Sequence, residues 1–342
     1  MKTITKGNKM NNIKKIGLTA LAGSLVGFSA HAAEMTVSGA TVLTYTSADS
    51  SETTGNPFGM KTNLGFTASG EVNGYTVSYM QTSKDQFAGM SSARLSLDIG
   101  DMGTIAFDQG SGSGLKTIDD KTPTAAEEIW DGIDAPAGNP GNGLVGATGS
   151  TGVFNYVNTF EGVTLNAAIR KGSGTANADG GNSGAGQGAW DFALTADGSS
   201  LGLDGFAIGA GYGEADAGQE SGTTDHDDQH STIFANYTMG PVTFGYQVSQ
   251  VAKGATGGQN IEAHAWGIAF NVNENLSMSY GERDVDHGNA GAADVEENGE
   301  GIAVAYTMGS MKIAGNRNEV TNNDGTSGSA DQMTEIAVSF AF

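Results

Sequence analysis

The chain has no cysteine, so no disulfide can staple an exported form of it; a large hydrogen-bonded structure has to hold it together instead. Proline is scarce at 5 residues, and basic residues are few: 16 Lys and Arg stand against 38 Asp and Glu. That balance excludes a nucleic-acid partner, because phosphate binding needs clustered Lys and Arg. It suits a solvated surface or a cation-attracting pore. Long apolar runs are also missing. The longest, Ile16 to Phe28, falls short of the ~20 residues that a membrane-spanning helix needs. No stretch beyond it sustains a helical period.

The Ile16–Phe28 run follows a basic segment containing Lys2, Lys6, Lys9, Lys14 and Lys15, and it precedes Ala30-His31-Ala32. Basic start, short apolar centre and small-x-small site are the parts of a secretory signal peptide. Residues 1–32 are therefore expected to be cleaved after Ala32, leaving a single domain over 33–342. Because the leader holds 5 basic residues and no acid, the remaining chain would carry 11 against 38, a net charge of −27.

What the chain has in abundance is glycine, 54 residues, with 38% hydrophobic content and a mean hydropathy of −0.24. Two readings fit these figures: a disordered or repeat-rich secreted protein, and a membrane barrel in which only every second strand residue is apolar. Periodicity separates them. Tyr75, Val77 and Tyr79 alternate with Thr76, Ser78 and Met80, and Ala93, Leu95, Leu97 and Ile99 alternate with Arg94, Ser96 and Asp98. The same rule holds from Val163 to Ile169, from Val242 to Val248 and from Ile302 to Met308.

Between these segments, short and long connections alternate. The short ones, such as Asn73-Gly74, Glu161-Gly162, Gly240-Pro241 and Gly309-Ser310, are hairpin turns. The long ones are polar, Gly-rich and acidic: 47–59, 110–150, 173–187, 216–230, 252–260, 284–298 and 319–331. Only the loop near 85–90 is brief. Counting segments gives about 16 strands, an even number with both ends on the short-turn rim, and a barrel of that size encloses an aqueous channel. Tyr45, Tyr75, Tyr79, Tyr156, Trp190, Tyr212, Tyr237, Tyr246, Tyr280 and Tyr306 lie mostly near segment ends, where aromatic girdles form. A soluble β-sandwich also alternates, but it seldom pairs one-sided long loops with aromatic ends. The expected fold is thus an all-β, transmembrane antiparallel barrel.

The last segment, Thr334 to Phe342, places Ile336, Val338, Phe340 and Phe342 on one face and resembles the C-terminal strand of Gram-negative porins. Met35-Thr36-Val37-Ser38-Gly39 resembles the first strand of the same family. With the leader, the strand count and the long third loop, the chain is similar to the general-diffusion porins of alphaproteobacteria. One difference stands out: some relatives carry an arginine shortly after the first-strand glycine, where this chain has Ala40-Thr41-Val42.

The resemblance implies a passive outer-membrane channel for ions and small hydrophilic solutes, and a homotrimer in contact with membrane lipid and lipopolysaccharide. It also implies a terminal Phe342, with Phe340 and Val338, read by the barrel-assembly machinery. The third loop, 110–150, would fold inward and narrow the lumen. That loop carries Asp119, Asp120, Glu127, Glu128, Asp131 and Asp134 beside Trp130. Strand parity aims Arg94, Arg170, Lys84 and Lys61 into the lumen, since charge on the lipid face at mid-depth costs roughly 2–4 kcal/mol. Acids on the loop facing bases on the wall would set a transverse field and, with so few bases, cation preference. Arg94 and Arg170 could equally pair with loop carboxylates and hold the loop down.

No cofactor is expected. Asp225, His226, Asp227, Asp228 and His230 form a weak metal candidate, since nothing in a loop aims both rings. Asp294, Glu296, Glu297 and Glu300 are candidates for loop-bound divalent cations such as calcium beside lipopolysaccharide. Two enzyme motifs occur by composition alone. Gly198-Ser199-Ser200-Leu201-Gly202 lacks the strand–turn–helix elbow of a nucleophilic serine, and Gly141 to Gly146 lacks a βαβ unit. The remaining alternatives are a substrate-specific channel, which would show a row of lumen aromatics or arginines, an outer-membrane barrel enzyme and a surface-binding barrel.

Overall fold

In the computed structural model, the described residues are 34–48, 55–83, 89–133, 146–149, 151–172, 188–216, 227–254, 258, 260–288 and 295–342. The expected leader lies outside them, as do Lys84, Asp134, Asp225, His226 and Asp294.

Sixteen strands follow one another: β1 (Glu34–Ala48), β2 (Phe58–Val72), β3 (Tyr75–Ser83), β4 (Met90–Asp98), β5 (Thr104–Gln109), β6 (Thr151–Phe160), β7 (Val163–Arg170) and β8 (Ala189–Asp197). They continue as β9 (Phe206–Ala215), β10 (Asp228–Met239), β11 (Val242–Ala252), β12 (Ile261–Asn271), β13 (Leu276–Asp286), β14 (Glu297–Met308), β15 (Met311–Thr321) and β16 (Ala330–Ala341). Each pairs antiparallel with its sequence neighbours, and β1 pairs with β16, so the sheet closes into a barrel without a free edge. At the seam, Gly39 and Phe342 exchange two backbone hydrogen bonds of 2.9 Å. A side chain at Gly39 would meet the Asn63 carbonyl at 2.8 Å and the Phe342 ring at 3.2 Å, so only glycine admits this approach.

The alternation read from the sequence divides the two faces. Val37, Leu95, Phe154, Ile169, Ile233, Ile302 and Ile336 are among the large apolar side chains on the outer surface. The inward set is small or polar, for example Ala193, Asp191, Gln247 and Asn318. Bilayer-facing burial thus inverts the pattern of a soluble core. On the short rim, Asn73 and Gly74 both take positive φ (53° and 82°), as a two-residue turn matched to strand twist requires.

Several strands run two or three residues farther toward the long loops than the apolar alternation indicates. β10 starts at Asp228, β14 at Glu297 and β16 at Ala330, while β15 continues to Thr321. Backbone pairing continues above the bilayer, where no lipid selects apolar side chains. There Arg317 pairs with Glu319 and donates to Gln332 at 2.9 Å on the outer face.

Candidate pore constriction

The described parts of the third loop, 110–133 and 146–149, enter the barrel and lie against the lumen face of the wall. Its departure from β5 is held by side chains of four strands. Asp108 accepts from the Ser111 amide at 3.0 Å and the Ser113 hydroxyl at 2.7 Å. Arg94 donates to the Gly112 carbonyl at 3.1 Å and to the Asn155 carboxamide oxygen, and it lies 3.9 Å from Asp108. The Gly114 amide donates to Asn166 at 2.7 Å.

A short 3-10 turn, Gly114–Ile118, then buries Leu115 and Ile118 against Ala193 and Phe234 of the wall. Asp191 joins the outgoing and returning limbs: it accepts from the Leu115 amide at 3.0 Å and from the Thr148 amide and hydroxyl at 2.8 Å each. The Ser111, Gly114, Leu115 and Thr148 amides that leave water thereby find acceptors.

Farther along, the loop crosses β10 to β15. Gln247 donates to the Ile118 and Asp119 carbonyls at 2.9 and 3.1 Å and accepts from the Lys121 amide at 2.7 Å. Asn236 donates to the Lys121 carbonyl at 2.7 Å, and the Ala125 amide donates to the Ser279 hydroxyl at 2.9 Å. Asn318 donates to both the Glu128 and Asp131 carbonyls at 2.9 Å. Trp130 lies under Arg283, whose guanidinium carbon is 5.3 Å from the ring centroid and which also pairs with Glu297 at 3.4 Å.

The loop's carboxylates share the half-buried surface this path creates. Burial pushes Glu128 up to about 7; its own backbone hydrogen bond opposes the rise, while Asp120 and Glu127 add to it by repulsion. Burial likewise raises Asp119, against the opposing pull of Lys116 at 2.9 Å. Asp131 is raised by burial and drawn back by Lys61. Asp120 lies 3.8 Å from Lys121. Glu335 of β16 accepts from the Thr46 hydroxyl at 3.4 Å and is within electrostatic reach of Asp131, Glu127 and Lys61.

Of the wall bases expected from parity, Lys61 therefore faces the loop acids. Arg94 and Arg170 sit with the loop's two limbs: Arg94 at Gly112, Arg170 beside Gly149, where an added Cβ would come within 3.0 Å of Nη1. Strand β14 sends Glu297 inward to Arg283 and His287 and Glu300 outward to the Tyr280 hydroxyl at 2.9 Å, so these two do not form one cation site. Asp228 pairs with Lys253 at 2.7 Å. Among the described residues, no group of three or more His, Cys, Asp or Glu side chains is arranged to hold a metal ion. Ser199 and Ser200 lie in a 3-10 turn, Gly198–Leu201, on the short rim.

Sequence reasoning missed Arg283, Glu335, Asp191, Asn236, Gln247 and Asn318. All occupy lumen-parity positions, so parity could have nominated them; nothing in the sequence says which lumen positions the loop covers. Lys116 and Lys121, which partly neutralise the loop, were legible and were passed over.

Comparison with solved structures returns outer-membrane proteins, porins among them. The in-vitro folded OmpT, an outer membrane protein of Vibrio cholerae, has a TM-score of 0.63 at 14% identity, covering 92% of this chain and 99% of that one. Its trimer form gives 0.61 at 15%, covering 91% and 100%. A double-substituted Rhodobacter blastica porin gives 0.60 at 13%, covering 90% and 100%. A comparison with curated proteins gave no match. The profile of the Gram-negative porin family matches residues 17–341. A closed barrel of sixteen strands, a loop laid along its lumen and a family match over nearly the whole length agree: the chain belongs to the Gram-negative porins, channel-forming barrels of the outer membrane.

Proposed function

We propose that this porin is a general-diffusion pore for ions and small hydrophilic solutes that prefers cations and carries out no catalysis. The carrying observation is the charge layout at the constriction: Asp120, Glu127, Glu128, Asp131 and Glu335 outnumber the bases near them, Lys61, which acts on Asp131 and Glu335, and Lys121, 3.8 Å from Asp120. A lumen with that excess of carboxylates concentrates cations and repels anions. Among the described residues, the wall offers no row of lumen aromatics or arginines that would mark one preferred solute.

By family membership, residues 1–32 act as an export signal, Phe342, Phe340 and Val338 guide barrel assembly, and three copies associate among lipid and lipopolysaccharide. Vibrio cholerae OmpT is described in a trimer form, which supports that state here. Planar-bilayer recording of purified protein under a salt gradient tests the proposal. A reversal potential of the cation-permeable sign, with conductance rising in steps of three, is expected; anion preference overturns it.

A further inference from the structure

One cross-strand row of the lumen wall reads Asn236, Gly245, Gly267, Gly281, Gly301, Asn318, each residue opposite the next in the register of β10 to β15. Four consecutive strands thus present glycine at one level, and an asparagine closes each end. The third loop lies in this bed. A Cβ at Gly245 would strike Pro123, one at Gly267 would meet the Pro123 carbonyl at 2.7 Å, and one at Gly281 or Gly301 would meet Ile129 Cγ2 at 3.2 or 2.9 Å. The flanking carboxamides hold loop carbonyls on both sides of that contact: Asn236 at Lys121, Asn318 at Glu128 and Asp131.

We infer that this row sets the width of the channel: the glycines let the loop sink to the wall backbone, and Asn236 and Asn318 act as positioning residues that fix where its acids stand. The inference rests on the reading of the protein as a diffusion pore. The Pro123 ring and carbonyl and the Ile129 side chain are the loop's contact surface on the glycines, so the depth of the bed adds to the free lumen. Each methyl added to the row would press on Pro123 or Ile129, and at Gly281 and Gly301 it would also meet the wall, at the Trp266 carbonyl (2.8 Å) and Asn318 Oδ1 (2.5 Å). Conversely, losing the Asn318 carboxamide leaves two half-buried carbonyls without their donor.

The test compares full-length wild type, Gly281→Ala, Gly301→Ala, Asn318→Ala and a control, Gly315→Ala, in planar bilayers and in liposome swelling with neutral sugars of graded size. At Gly315 an added Cβ meets nothing closer than 3.6 Å, and conductance should match wild type. Gly281→Ala and Gly301→Ala should lose on the order of a third of single-channel conductance and exclude sugars that the wild type admits, since constriction size governs permeation. Ile129→Ala in the Gly281→Ala background should restore part of the loss. Asn318→Ala, which adds no atom, should give noisier open-channel current and a shifted reversal potential.

Wild-type conductance and size cut-off in assembled Gly281→Ala and Gly301→Ala barrels would overturn the inference while leaving the pore reading intact. If the glycine variants fail to assemble, a quiet, unshifted Asn318→Ala channel overturns it instead. A wild-type protein that does not conduct removes the pore reading and this inference together.

Discussion

The Arg94 guanidinium lies 3.9 Å from the carboxylate of Asp108, a residue with no exposed surface, and the two together fasten the first turn of the third loop. The pair is local scaffolding: both side chains also bond loop groups, at Gly112, Ser111 and Ser113. Arg94→Ala should therefore loosen the loop root while the acids that govern selectivity stay in place. A cost of about 1–3 kcal/mol is expected for losing the charge-assisted bonds to the Gly112 carbonyl and the Asn155 carboxamide. Lower thermal stability in detergent and frequent brief closures should accompany a near-normal reversal potential; a large selectivity change would contradict this assignment.

Asp191→Asn tests the clamp between the two limbs. The carboxylate accepts three hydrogen bonds, and the substitution turns one acceptor oxygen into a donor facing loop donors. Protease should cut the loop of the variant faster than that of the wild type, with barrel resistance unchanged.

Lys61→Gln removes the base that acts on Asp131. Cation preference should rise, read as a larger reversal potential in the same salt gradient. The effect should shrink as salt increases, because a field across water is screened.

Acid should weaken cation preference. Glu128 titrates at about 7 in the folded protein, above its ordinary 4.5, chiefly because it is buried. As pH falls from about 8 to 6, this carboxylate takes a proton and the constriction loses charge; Asp119 and Asp131 are also raised by burial. The stability sign follows from proton counting. Between 4.5 and about 7 the folded chain holds more protons at Glu128 than the unfolded chain, so this residue's contribution makes stability fall as pH rises through that window. Glu128→Gln should flatten the upper part of the selectivity–pH curve and remove that slope.

The barrel was legible because lipid imposes a strict rule. Every second residue from Val163 to Ile169 must be apolar, and Glu161-Gly162 before it can only turn. Strand ends such as Glu297 and Thr321 were not legible, since above the bilayer the ladder continues without a solvent to sort the side chains. Parity put Lys61 and Arg94 in the lumen, yet it could not distinguish a base that faces acids across water from one that grips the loop root. That distinction depends on where the loop lies, and the bed of Gly245, Gly267, Gly281 and Gly301 is scattered over 57 positions of sequence, visible as a row only once register is known.

The bonds between Gly39 and Phe342 join the first half of β1 to the residue that follows β16. Every earlier length of chain is an open sheet with two adhesive borders, the kind that pairs with any strand it meets. Closure therefore requires β16 to pair with β1. A barrel without β16 would keep two unpaired borders and would be expected to aggregate, whereas loss of the Phe342 bonds alone leaves the nine β1–β16 pairs from Ala40–Ala341 to Ala48–Met333 in place.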